Sequence, residues 1–231
     1  MINFFRALLM KLLATLGVPE CQNILGNMYE EGTGVEQNDE LALKWFRKSA
    51  DQGNARAQSN LGRMYEDGKG VVKDYGEAAS WFRKAGEQGH VWSQNALGYM
   101  YSTGCGVDEN HALAAEWYRK SADKGYAWAQ FNLAWAYYNS RGVNRDFKKA
   151  HDLYLEAAKQ GLCQAQYNLG LMYADGVGVP QDYTAALMWL EAASDGGMQE
   201  AIPSIEMVKQ KQMHKSEGSA NQVPTSRESE S

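Results

Sequence analysis

Residues 61–72 read Leu-Gly-Arg-Met-Tyr-Glu-Asp-Gly-Lys-Gly-Val-Val, and this arrangement stands elsewhere in the chain as well. Leu25-Gly26-Asn27-Met28-Tyr29 precedes it by 36 residues and Leu97-Gly98-Tyr99-Met100-Tyr101 follows it by 36. Leu169-Gly170-Leu171-Met172-Tyr173 keeps the spacing, with Leu133-Ala134-Trp135-Ala136-Tyr137 as a degenerate fourth member. A Gly-x-Gly-Val block comes next each time, at Gly32, Gly68, Gly104 and Gly176, while the fourth unit keeps only Arg141-Gly142-Val143. Beyond it, Trp45-Phe46-Arg47-Lys48-Ser49-Ala50 has counterparts from Trp81 and Trp117, and looser ones from Leu153 and Trp189. Gly53, Gly89, Gly125, Gly161 and Gly197 close the units. Five units in register without an insertion define a repeat protein.

Repetition explains an odd composition: 23 glycines against 4 prolines, and 7 tryptophans, in 231 residues. With 44% hydrophobic and 11% aromatic residues, the chain is too apolar to be wholly disordered. No run approaches the roughly 20 apolar residues that cross a bilayer, so no membrane insertion is expected. A net charge of −5 gives no global attraction to nucleic acid, and that partner class is not expected either.

Each block has a physical meaning. Ala57, Leu61, Met64 and Tyr65 fall at helical spacing and make one apolar stripe of a first helix. Gly62 lies beside that stripe, where its missing side chain lets a second helix come close. The Gly-x-Gly-Val block ends the helix and turns the chain. Asn38, Asp74, Asn110, Asp146 and Asp182 share one repeat position before each new helical pattern, as N-caps do. The second helix turns Ala42, Trp45, Phe46 and Ala50 inward, which predicts Trp45, Trp81, Trp117 and Trp189 as core residues. Such a hairpin buries its apolar face only by stacking on its neighbours.

The composite pattern LGxMYxxGxGVxxD…AxxWxRKAAxxG resembles the Sel1-like repeat family, relatives of the tetratricopeptide repeats. The resemblance covers roughly residues 18–197 and implies a non-catalytic interaction adaptor. The expected fold is all-α: a right-handed α/α superhelical solenoid of helix–turn–helix repeats at 18–53, 54–89, 90–125, 126–161 and 162–197. Repeat four departs from the pattern at Ala134, Ala136, Ser140 and Leu153.

The ends follow from the period. Leu9, Ala14 and Gly17 stand 36 residues before Trp45, Ala50 and Gly53, so residues 1–17 read as a lone second helix capping the stack. A signal peptide is the rival reading, opposed by Lys11 and by the lack of an A-x-A site. Residues 198–213 are expected to form a C-terminal cap helix, and 214–231, rich in Ser, Glu, Gln and Gly, a disordered tail.

Catalytic groups do not cluster. His90, His111, His151 and His214 form no HxxxH pair and no Ser/His/Asp arrangement, and read as surface or cap residues. The glycine loops lack the Lys-Ser/Thr of a phosphate loop. Cys21, Cys105 and Cys163 sit in different repeats, too far apart for a bridge at about 7 Å. No catalytic residue, metal or cofactor is therefore expected. Reduced thiols suit a cytoplasmic location, with a periplasmic or secreted one as the alternative if the N-terminus is a signal peptide.

The candidate residues are those that the framework leaves unexplained. Trp128, Phe131, Trp135 and Tyr138 lie at i, i+3, i+7 and i+10 of one first helix, a single stripe at about 100° per residue. Trp92 and Tyr99 hold the same positions one repeat earlier, and Tyr167 matches Phe131 one repeat later. Together they form a partner-binding stripe or are buried between neighbouring first helices. Asn60, Asn132 and Asn168 share one position, to hold a ligand backbone or to bond within the stack. Arg56, Asn60 and Arg63 at i, i+4 and i+7 make an anion site, unless Glu66 and Asp67 pair with Arg63. The Arg-Lys pairs at 47–48, 83–84 and 119–120 read as last-turn cations on the outer face. The expected function is a scaffold that binds a protein or peptide along a concave groove of first helices. The alternative is a module that binds glycans through exposed aromatics.

Overall fold

A computed structural model describes residues 2–220, and the side chains of 8–215. Among the described residues the protein is all helix: α1 (Ile2–Thr15), α2 (Pro19–Glu31), α3 (Asp39–Asp51), α4 (Ala55–Asp67), α5 (Tyr75–Glu87), α6 (Val91–Thr103), α7 (His111–Ala122), α8 (Ala127–Asn139), α9 (Phe147–Lys159), α10 (Cys163–Asp175), α11 (Tyr183–Asp195) and α12 (Ala201–Ala220). Each helix packs on the next in chain order, so the core runs through the molecule as a series of clusters. This is a helical solenoid.

Local chemistry sets the helix ends. The side chains of Asn38, Asp74, Asn110, Asp146 and Asp182 each accept a backbone N–H in the first turn of the following helix. First helices α2, α4, α6 and α10 stop on a left-handed glycine. In α8 the same conformation falls to Ser140, at φ 59°, the one positive-φ non-glycine among the described residues. The second glycine of the loop has a different duty. A Cβ on Gly70 would lie 2.5 Å from the Asp39 carbonyl oxygen, and one on Gly142 would overlap the His111 carbonyl. The loops of repeats two to five thus rest against the start of the preceding repeat's second helix, and only glycine leaves the room.

Close approach also joins the two helices of a hairpin. A Cβ on Gly62 would come within 2.5 Å of the Phe82 ring, and Gly26 faces Phe46 in the same way. The fully enclosed position is therefore the one after the tryptophan: Phe46 and Phe82 have no exposed surface, and Tyr118, Tyr154 and Leu190 continue the series as buried residues. Burying each such side chain stabilises the stack by roughly 1.5–3 kcal/mol. Trp81 and Trp117 are buried as expected, but Trp45 and Trp189 are only half-buried. A lysine lies over three of these indoles, Lys48 Nζ at 4.7 Å from the Trp45 ring centre, Lys84 Nζ at 3.8 Å from that of Trp81 and Lys120 Nζ at 4.0 Å from that of Trp117.

Polar side chains join successive repeats. Gln22, Gln58, Gln94 and Gln166, at one repeat position, donate to Ala14, Ala50, Gly86 and Ala158 carbonyls at the end of the preceding second helix. Arg47, Arg83 and Arg119 donate to the hydroxyls of Tyr65, Tyr101 and Tyr137 one repeat on, the second at 2.5 Å. The repeated arginine is thus a tie between repeats, which goes beyond the helix-end role expected of it.

At the N-terminus α1 packs on α2 through Met10, Leu13 and Ala14. At the other end Val208 and Ala201 of α12 are buried and Ile205 lies against the core. Helix α12 runs to Ala220, so residues 214–220, expected to be unstructured, are helical; 221–231 lie outside the described residues.

Candidate interaction surface

First helices α4, α6, α8 and α10 stand side by side, and the stripe residues occupy the face they share. The structure divides that stripe. Tyr99, Trp128 and Trp135 are exposed, at 55%, 42% and 45% of their surface. Trp92 turns into the core and meets Phe82 edge-on at 5.3 Å. Phe131 sits between the exposed Trp128 at 6.0 Å and the buried Tyr154 at 5.6 Å. Tyr138 packs on Phe147 at 5.2 Å, and the Tyr167 hydroxyl lies 3.3 Å from Ser204 Oγ. Four of the seven stripe residues are therefore a footing, and Tyr99, Trp128 and Trp135 are what it presents.

Trp135 forms a ridge between two hollows. One, of about 150 Å³, lies toward repeat three beside Tyr99 and Tyr118. The other, of about 230 Å³, lies toward repeat five beside Tyr138, Asn168 and Leu171. Burial pushes the Tyr118 hydroxyl up to about 12, so it stays neutral, 3.2 Å from Ser102 Oγ.

The asparagines bond along the wall. Asn60 Nδ2 donates to Asn23 Oδ1 at 3.0 Å and Asn27 Oδ1 at 3.1 Å, and Asn132 Nδ2 donates to Asn95 Oδ1 at 3.0 Å. Asn168 makes no such bond among the described residues and lines the larger hollow beside Trp135.

Arg63 does not turn to Glu66 or Asp67. Its Nη2 donates to both carboxylate oxygens of Glu30, on the preceding first helix, at 2.7 and 2.9 Å. The pair ties two successive first helices together across the repeat junction. Arg56 is exposed and forms no hydrogen bond or ion pair among the described residues. With His90 and Trp92 it lines an open depression of about 750 Å³ that also holds Glu30 and Glu31. Burial, then the nearby Arg56 charge, lowers the His90 pKa. Its ring meets the α6 N-terminus, with Nδ1 3.0 Å from Ser93 Oγ, so it is a cap.

His151 departs from its surface expectation. It is buried, with its ring edge-on to Tyr173 at 5.3 Å, because the repeat position it holds faces the next hairpin. No group of three or more His, Cys, Asp or Glu side chains that could hold a metal occurs among the described residues, and no described helix is long and apolar enough to cross a membrane.

Stacked hairpins with an aromatic face define a helical-repeat protein. The Sel1 repeat model matches residues 19–54, 55–90, 93–126, 129–162 and 163–198, and the chain belongs to the Sel1 repeat family. Proteins of this family are generally non-catalytic scaffolds for protein interaction. The chain is similar to c5321, a protective antigen of uropathogenic Escherichia coli with this fold, at 40% identity and a TM-score of 0.83. That match covers 86% of this chain but only 43% of c5321, so the chain spans less than half of that relative. A Sel1 repeat protein from Oxalobacter formigenes is 37% identical over 82% of this chain and 75% of its own, with a TM-score of 0.77. A sel1 repeat protein from Klebsiella pneumoniae shares the fold at 20% identity and a TM-score of 0.52, over 88% and 99% of the two chains. None of the curated proteins compared with the chain matches it.

Proposed function

We propose that this protein is a non-enzymatic adaptor that binds a protein or peptide in a groove lined by its first helices. The observation that carries this reading is the exposure of Tyr99, Trp128 and Trp135 on one face of α6 and α8. Their equivalents in repeat two, Arg56 and Arg63, are polar, so stacking does not require aromatics there. Large exposed aromatics close together are the usual centre of a protein interface. Asn168 and Arg56 add free polar groups beyond the two ends of this patch, suited to a peptide backbone and to an acidic side chain.

Selection from a displayed peptide library against the folded repeats tests the reading. Selected peptides are expected to bind the parent protein and to lose at least about tenfold in affinity to the Trp128→Ala, Trp135→Ala double variant. Helicity should be retained and the loss of melting temperature modest, since both rings are exposed over more than two-fifths of their surface and belong to none of the core clusters. Equal binding to the variant would remove the aromatic face from the site. Displacement by a soluble oligosaccharide but not by excess peptide would instead favour a glycan site.

A further inference from the structure

The hollow between repeats three and four has an origin in the sequence. Methionine occupies one first-helix position in four repeats, as Met28, Met64, Met100 and Met172, and all four are buried. At the junction of repeats two and three Met100 packs in one cluster with Ala78, Ala79 and Phe82. At the junction of repeats four and five Met172 lies in the wall of the other hollow, where the buried His151 takes the floor position held here by Ala115. Repeat four has Ala136 at the methionine position, which lacks the Cγ, Sδ and Cε of methionine. The matching floor, Ala114, Ala115 and Tyr118, is left open as a pocket of about 150 Å³. Exposed Tyr99 and Trp135 stand at its walls.

The polar groups that line it already have partners within the fold. Ser102 Oγ donates to the Tyr99 carbonyl at 2.8 Å and meets Tyr118 Oη at 3.2 Å. Asn132 donates to Asn95, and Arg141 Nη1 lies 3.2 Å from His111 Nε2. An anion or a metal would have to break these pairs. What the pocket lacks is apolar contact. A space of about 150 Å³ is the size that takes a benzene ring.

We propose that this notch receives one phenylalanine-sized apolar side chain of the partner, which takes the place that Met100 fills in the neighbouring repeat. That the side chain arrives on a peptide rests on the groove reading above; the notch itself is tested separately. The probe is N-acetyl-phenylalanine amide, titrated into the full chain and followed by amide NMR, with N-acetyl-serine amide as control. Saturable shifts are expected at Ala114, Ala115 and Ala136 with the phenylalanine probe alone.

Ala136→Met, which restores the framework residue, should abolish those shifts while leaving the melting temperature unchanged or higher. Ala136→Leu gives a second filling should the methionine variant fold poorly. Peptides selected against the parent protein should bind either filled variant about tenfold or more weakly. An absence of saturable shifts in the parent protein, or shifts that persist in a folded filled variant, would overturn the proposal. If the amide binds at the notch and no peptide is selected, the groove reading fails while the pocket's apolar selectivity stands.

Discussion

Gly142 and Gly161 offer a comparison in which only one physical factor changes. Both have positive φ, at 71° and 86°, and both belong to repeat four. Space for a Cβ at Gly161 is open, with no atom within 4 Å, whereas at Gly142 it would overlap the His111 carbonyl of repeat three. Alanine in a left-handed conformation costs about 1–2 kcal/mol. Reduced freedom of the unfolded chain offsets about 0.4–1 kcal/mol of that. Gly161→Ala should therefore destabilise by about 1 kcal/mol. Gly142→Ala carries the same strain and must also push a rigid backbone away, which adds about 1–3 kcal/mol. The clash lies at a junction, and neighbouring repeats supply much of one another's stability. Its unfolding transition should therefore broaden as well, with a lower urea m-value. Urea denaturation of parent and both variants, followed by far-UV circular dichroism, measures each quantity. Equal losses for the two variants would refute the claim that this loop braces the preceding repeat.

Other predictions concern the core and pH. Trp81→Ala should cost about 3–5 kcal/mol by thermal or chemical unfolding. Trp189→Ala, from a half-buried site, should cost clearly less. His90 has its pKa lowered from 6.5, so the unfolded chain binds more protons than the folded one as pH falls through that value. Stability should thus decline below about pH 6.5, and His90→Asn, which installs the cap residue of Asn54, should remove that component of a pH–stability profile. An unchanged profile in the variant would clear His90 of the effect.

The sequence revealed whatever repeats within one hairpin. Caps at Asn38 and Asp74, stops at Gly32 and Gly68, and the close approach at Gly62 are local consequences of helix geometry, and spacing alone exposes them. Contacts between hairpins depend on how far one unit is turned and shifted against the next, which no local pattern encodes. So the partner of Arg63 is Glu30 rather than Glu66, and Arg47 reaches Tyr65. The glutamine row carried a legible signal, since Gln22, Gln58, Gln94, Gln130 and Gln166 keep the period, but its role needed the distance to the preceding carbonyls. The aromatic stripe was visible as a stripe. Its division into three presented rings and four seated ones depended on side-chain directions across neighbouring repeats.

Along the wall of first helices the fastening changes from one end to the other. Between α2 and α4 it consists of Asn60 with Asn23 and Asn27, and Arg63 with Glu30. Between α8 and α10 no side-chain hydrogen bond occurs among the described residues, and apolar and aromatic surfaces meet instead. Hydrogen bonds fix distance and angle and weaken steeply when bent, whereas dispersion between smooth ring faces tolerates sliding. Considered as a beam, the solenoid is pinned along this wall by directional bonds near its N-terminal end and held beside Trp135 by surface contact, with Gln166 bonding to the Ala158 carbonyl as the tie behind it.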